Sequence, residues 1–169
     1  MALVPTGEMT LGPFFPREFG KGNHDLVAAN QLTSPEGIFI EGKIVQADGS
    51  ALDNCIVEIW QASPAGRYDD PAFFGWGRAA TDANGIYRFR TVMPGRVDGR
   101  APHVNVIILF SGLMRHLQTV MFFGDESDPV LDAVTPAALR QRLIARRDGN
   151  AWRFDIRLRG EGETPFFDD

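Results

Sequence analysis

The sequence predicts an all-β fold, a β-sandwich of about seven short strands. Three observations lead there. Short runs rich in β-branched and aromatic residues recur along the chain, several of them alternating apolar and polar. Turn signals separate them: Asp48-Gly49-Ser50, Ser63-Pro64-Ala65-Gly66, Thr81–Gly85, Pro94-Gly95 and Ser111-Gly112. Only one stretch carries a helix start followed by helical periodicity. The 169 residues suit one domain, and 44% hydrophobic residues suffice to bury a core.

Residues 1–36 read as an irregular N-terminal arm. Pro13 and Pro16 exclude helix and central strand, and Phe14, Phe15 and Phe19 need a surface to cover them. They either fold back on this domain or dock on another chain. Residues 37–160 form the sandwich. The first strand is I-F-I-E-G-K-I-V and the second C-I-V-E-I-W-Q, residues 55–61. In I-Y-R-F-R-T-V, Tyr87, Phe89 and Thr91 share one face while Arg88 and Arg90 share the other. Pro102 to Phe110 is almost entirely apolar and predicts a strand covered on both faces, followed by R-H-L-Q-T-V-M-F-F. Thr135-Pro136 reads as an N-cap with proline at the first helical position. Leu139, Leu143 and Ile144 then share a face of a short helix, in a late connection, that ends near Asp148-Gly149-Asn150. The last strand puts Trp152, Phe154, Ile156 and Leu158 on one side, and residues 161–169 are an irregular C-terminal tail.

Net charge −5 argues against a nucleic-acid partner, whose phosphates require basic patches. No apolar run reaches the ~20 residues of a membrane span and no secretory pattern opens the chain, so a cytoplasmic protein without membrane partner is expected. The single cysteine, Cys55, lies in an apolar run and reads as a buried thiol. Phosphate loops, H-E-x-x-H, C-x-x-C and the nucleophile elbow are missing from the sequence.

Metal chemistry has few candidates: His24, His103, His116, Tyr68 and Tyr87. In a hairpin turning at Leu113, His103 falls opposite Phe123 and His116 opposite Phe110. About seven residues, roughly 23 Å, then separate the two histidines, too far for one metal. Tyr87 alternates with Phe89 and belongs to the core. Tyr68, in the loop G-R-Y-D-D-P, reads as a surface or interface residue. No complete metal site is expected within the chain.

Five segments together resemble the intradiol ring-cleavage dioxygenases: T-L-G-P-F-F (10–15), G-K-I-V-Q-A-D-G-S-A-L-D-N-C-I-V-E-I-W-Q-A-S-P-A-G-R-Y (42–68), G-R-A-A-T-D-A-N-G-I-Y-R-F-R-T-V-M-P-G (77–95), A-P-H-V-N-V (101–106) and the tail from Arg153 to Asp168. The resemblance implies their prealbumin-like sandwich. It also implies an enzyme that opens a small aromatic catechol with dioxygen at a non-haem Fe(III), held in the catalytic chains by two tyrosinates and two histidines. Their R-P-x-H-x-H pattern is approximated by Arg100, His103 and Asn105, with asparagine for the second histidine. Arg96 follows Pro94-Gly95 where a ligand tyrosine stands in the family. A second ligand tyrosine is expected in an insertion after G-R-Y, and here Asp69-Asp70-Pro71 leads directly to Phe73-Phe74. At most one of four ligands then remains, so no metal or catalytic residue is assigned to this chain.

The resemblance is thus to the alpha, structural chain of the family's two-chain members. It implies a catalytic beta subunit, a homologous sandwich that binds the Fe(III), and a higher-order hetero-oligomer. Thr10, Gly12, Pro13 and Phe14 match the arm that lines the partner's substrate pocket. Phe14 stands where many such chains carry tyrosine, and Ser111 where they may place an arginine. His103 and Arg100 are then relics, bonded to neighbouring backbone or carboxylates. The competing reading is a non-catalytic β-sandwich that serves as a binding or assembly module.

Overall fold

The computed structural model describes residues 12, 15, 16, 18, 19, 21, 24–32 and 37–167. Two sheets face each other. In the first, β1 (Ile38–Val45) lies between β4 (Ile86–Thr91), antiparallel, and β8 (Ala151–Arg153), parallel. β7 (Arg146–Asp148) extends that sheet beyond β8, and β9 (Ile156–Arg157) pairs with the far end of β1. The second sheet runs β3 (Trp76–Ala80), β2 (Ile56–Gln61), β5 (His103–Leu109), β6 (Leu117–Phe122), all antiparallel. Alternation explains which face is buried. Ile40, Ile44, Tyr87 and Phe89 of the first sheet enter one core with Val57, Ile59, Val104, Val106, Ile108 and Met121 of the second. Cys55 is buried in it, and burial pushes its thiol up to about 12.

The single last strand expected from the sequence is interrupted. Phe154 N–H donates to the Glu41 carbonyl, but the next donor, Lys43 N–H, is taken by the Asp155 carboxylate at 3.0 Å. A side chain thus replaces a backbone partner and breaks the ladder between β8 and β9. The Phe154 carbonyl accepts the Tyr87 hydroxyl at 2.5 Å. Gly42 allows this crossing, because a Cβ there would collide with that carbonyl. The expected alternation survives the break: Phe154 and Ile156 are buried, Arg153 and Asp155 exposed.

The late helix differs from expectation. α2 (Pro129–Ala133) comes first, capped by Asp128, whose carboxylate accepts from the backbone N–H groups of Val130 and Leu131. A 3-10 helix, Ala137–Leu143, follows without a side-chain cap. It stops at Leu143 because Ala145 N–H donates to the Phe122 carbonyl, turning the chain extended toward β7. Leu139, Leu143 and Ile144 nonetheless share the apolar role expected of them, packing with Val120, Phe122 and Leu131. The sequence reading also lacked β3 and β7, and set the β5–β6 hairpin one residue off: His103 faces Phe122, not Phe123. β5 is fully buried toward the core; on its other face His103 is buried while Asn105, Ile107 and Leu109 are half-buried.

Both ends of the described chain return to the sandwich. α1 (Leu26–Ala29), capped by Asp25, buries Leu26 and Val27 in the core. Phe15 stacks on Phe19, whose ring lies under the Arg78 guanidinium at 3.9 Å. At the other end, Phe167 N–H donates to the Gln118 carbonyl, and the Thr119 hydroxyl to the Pro165 carbonyl, so 164–167 lies along β6.

Candidate functional site

The outer face of the second sheet carries the residues of interest. β2 and β5 run antiparallel with Trp60 opposite Asn105. His103 and Asn105, two apart on β5, project to the same side. Beyond β2 the chain makes a tight loop in which Gly66 N–H donates to the Ser63 carbonyl and Ser63 N–H to the Arg67 carbonyl. Gly66 and Gly95 bring this loop against 94–97: a Cβ on Gly66 would strike the Arg96 carbonyl, and one on Gly95 the Pro64 carbonyl. That close approach delivers Tyr68 over the sheet, where its ring stacks on Trp60 at 5.9 Å between centroids.

A hydrogen-bonded triad results. His103 Nδ1 lies 2.7 Å from the Ala101 carbonyl and must donate there, which leaves Nε2 as acceptor. The Tyr68 hydroxyl donates to that Nε2 at 3.1 Å and accepts from the Asn105 amide, also at 3.1 Å. Asn105 gives its other amide hydrogen to the Trp60 carbonyl. Burial pulls the His103 pKa below its ordinary value, the Ala101 hydrogen bond opposing and the Arg100 charge assisting, so the ring is neutral at pH 7. Burial likewise raises the Tyr68 phenol, against the Asn105 hydrogen bond and the Arg100 charge. Tyr68, read from the sequence as a surface or interface residue, is half-buried and contacts both site positions of β5.

Arg100 enters through a turn. Val97-Asp98-Gly99-Arg100 has positive φ at both central residues, 49° and 76°, and closes with Arg100 N–H on the Val97 carbonyl, the geometry of a type I′ turn. The Arg100 Nε donates to Asp128 Oδ2 at 2.6 Å, and that oxygen also accepts from Ala101 N–H. Asp128 is fully buried. Burial would raise its carboxyl, but the Arg100 hydrogen bond and three backbone donors outweigh it and hold the pKa below the usual carboxylate range. So Arg100 and His103 do bond to a carboxylate and a backbone carbonyl. The sequence reading did not single out Asp128, and nothing local links it to Arg100, 28 residues away.

Together Trp60, Tyr68, Asp98, Arg100, His103 and Asn105 wall an open cleft of about 530 Å³. Its donor set is one phenol, one imidazole, one carboxamide and the exposed Asp98 carboxylate, beside a guanidinium. Hard trivalent iron favours anionic oxygen donors. The phenol here is raised rather than lowered in pKa, its hydroxyl is already engaged with His103 and Asn105, and the neighbouring cation repels a metal. These residues do not fit the two-tyrosinate, two-histidine ferric centre. His24 lies by the β3–β4 edge, and His116 beside Gln118 in a separate cleft with Phe166; neither joins His103. Tyr87 is buried in the core, as expected. Of the arm residues assigned to substrate, Thr10, Pro13 and Phe14 lie outside the described residues. Gly12 is described, with φ 95° and open space where a Cβ would stand.

Known proteins share this fold. A family model described as Dioxygenase matches residues 10–100. The chain is 34% identical to the protocatechuate 3,4-dioxygenase alpha chain of Burkholderia cepacia, over 98% of each chain. It is also 34% identical to the protocatechuate 3,4-dioxygenase beta chain of the same organism, over 96% of this chain and 84% of that one. Among solved structures, the dioxygenase domain of a dioxygenase carbohydrate-binding protein fusion from Streptomyces sp. SirexAA-E superimposes with a TM-score of 0.64 at 25% identity, covering 93% of this chain and 99% of that one.

Proposed function

The chain belongs to the intradiol ring-cleavage dioxygenase family, and from that premise we propose that it is an alpha-type, pocket-lining subunit of a protocatechuate 3,4-dioxygenase-like enzyme. On this reading a homologous beta subunit holds the Fe(III), and the two sandwiches pack as a pair within a larger particle. The partner's iron supplies the activation of catechol and dioxygen. This chain contributes half of the pair and, through Thr10, Gly12, Pro13 and Phe14, part of the wall around the aromatic substrate. On the same reading Phe14 would offer a ring face to the substrate but has no hydroxyl for its carboxylate.

The observation that carries the reading is the Tyr68–His103–Asn105 triad. The Tyr68 hydroxyl is engaged by His103 and Asn105, with Asn105 and Arg96 at two positions where the resemblance places metal ligands. A chain so built needs an iron centre from elsewhere to take part in ring cleavage.

The test is co-purification with a homologous chain that carries R-P-x-H-x-H and both ligand tyrosines. Iron content and oxygen uptake with a catechol are then measured on each chain and on the complex. The complex is expected to contain iron and open the ring, with this chain alone inactive. His103→Ala should leave the iron content of the complex unchanged. A stoichiometric ferric centre with ring-cleaving activity in this chain alone would overturn the proposal.

A further inference from the structure

The 3-10 helix, β7, β8 and the C-terminal tail meet around an open cleft of about 380 Å³. Three arginines line it, Arg142, Arg146 and Arg153, against one carboxylate, Asp155, on a chain whose net charge is −5. Arg153 is already neutralised: its Nη1 donates to Glu41 at 2.6 Å and its Nε to Asp148 at 2.8 Å. Arg142 and Arg146 are not. Arg142 gives Nη1 to the Glu163 carbonyl at 2.9 Å, while its Nε and Nη2 have no partner among the described residues. Arg146 keeps 78% of its side chain in solvent, and its one carboxylate contact, Asp155 Oδ2, lies at 3.5 Å, the outer limit of a hydrogen bond. The other oxygen of Asp155 is fixed at 3.0 Å by Lys43 N–H, which anchors that carboxylate to β1. Thr164, also in the lining, is 2% exposed. Its Oγ1 accepts from Arg157 N–H at 3.0 Å, and its own hydrogen has no acceptor among the described residues. A buried hydroxyl with an unspent donor carries a cost that a bound acceptor removes.

We infer that this cleft binds a phosphate group, free or as the monoester of a small polar molecule, held by Arg142, Arg146 and Thr164. The donors come from three elements, so the ligand needs oxygens in more than one plane. A tetrahedral phosphate has them, whereas a planar carboxylate fills one guanidinium fork and leaves the other donors unmet. A phosphate also brings about 1.5 to 2 negative charges at neutral pH, enough to displace the distant Asp155 carboxylate from Arg146. Glu163 does not oppose it, because its carboxylate accepts from Gly160 N–H at 3.2 Å. A phosphate in the cleft joins the 3-10 helix and β7 to the tail, whose Pro165 and Phe167 are hydrogen-bonded to β6. Occupancy therefore stabilises the folded chain.

The experiment titrates the full chain with sodium phosphate, glucose 6-phosphate, glucose and sodium acetate at fixed ionic strength, following calorimetric heat and the midpoint of thermal unfolding. Saturable binding of a phosphate with a rising midpoint is expected, and no response to glucose or acetate. Tighter binding of glucose 6-phosphate than of inorganic phosphate would identify an ester as the occupant; equal or weaker binding would identify the free ion. Arg142→Gln and Arg146→Gln, both at exposed positions, should each weaken binding by about tenfold, the loss of one charge-assisted hydrogen bond. Asp155→Asn, which still offers an acceptor to Lys43 N–H, should tighten it. Lack of saturable binding by either phosphate, an acetate response equal to that of phosphate, or indifference of all three variants would overturn the inference. Binding and stability are read here without turnover, so the outcome is independent of the ring-cleavage assay.

Discussion

Tyr87 and Tyr68 are the chain's two tyrosines, and their surroundings separate what holds the molecule together from what it presents. Tyr87 is buried between the sheets, and its hydroxyl donates to the Phe154 carbonyl at the point where β8 gives way to β9. Burial keeps its phenol protonated far above the ordinary range. Tyr68 lies half-buried on the outer face of the other sheet and donates to a histidine. The first hydrogen bond has no water to replace it if lost. The second sits beside an open cleft, where water can take over at small cost. A hydroxyl inside the sandwich is therefore a structural pin, and the same group outside it is available to a site.

The sharpest way to break the comparison is at the pin's support. Gly42→Ala would drive a methyl group into the Phe154 carbonyl. The added Cβ is fixed rigidly to its own backbone and the atoms it meets first are backbone, so nothing flexible can give. We expect loss of the folded state, seen as absence of a cooperative urea transition, whereas Gly49→Ala, on an open turn, should leave a cooperative transition in place. Next in size is Tyr87→Phe. It strands a buried carbonyl and should cost about 1–3 kcal/mol in urea denaturation. Tyr68→Phe should cost under about 1 kcal/mol. Equal losses from the two phenylalanine variants would erase the distinction between pin and site.

The smallest effect is in acid. The folded-state pKa of His103 is lowered, chiefly by burial. The unfolded chain therefore binds a proton more readily than the folded one. The contribution is present in full above the unfolded value of about 6.5 and is lost as pH falls below it toward the folded value. His103→Gln should flatten the dependence of stability on pH across that interval. An unchanged slope would place the histidine in a wetter setting than the one described here.

Much of this architecture was legible one residue at a time. Strands β1, β2, β4, β5 and β6 follow from alternation and turn chemistry, and Tyr87 follows from its step-two partner Phe89. β3 escaped because W-G-R-A-A carries a glycine and two alanines and little β propensity. β7 escaped because R-R-D is exposed throughout, so burial leaves no pattern in it. The helix boundary was misread because Leu139, Leu143 and Ile144 have helical spacing whether the chain continues as a helix or turns extended after Leu143 to hydrogen-bond Phe122.

The site divides along the same line. Histidine and asparagine two apart on one strand are a local fact, and the order of residues alone put His103 and Asn105 on a common face. The placement of Tyr68 over them was decided only when Gly66 and Gly95 brought two loops into contact, and the presentation of Arg100 only when Asp128 came back across the chain. Periodicity acts between near neighbours and can be read from sequence. Van der Waals approach and ion pairing between distant segments exist only once the backbone has closed on itself, and those are the forces that shaped this cleft.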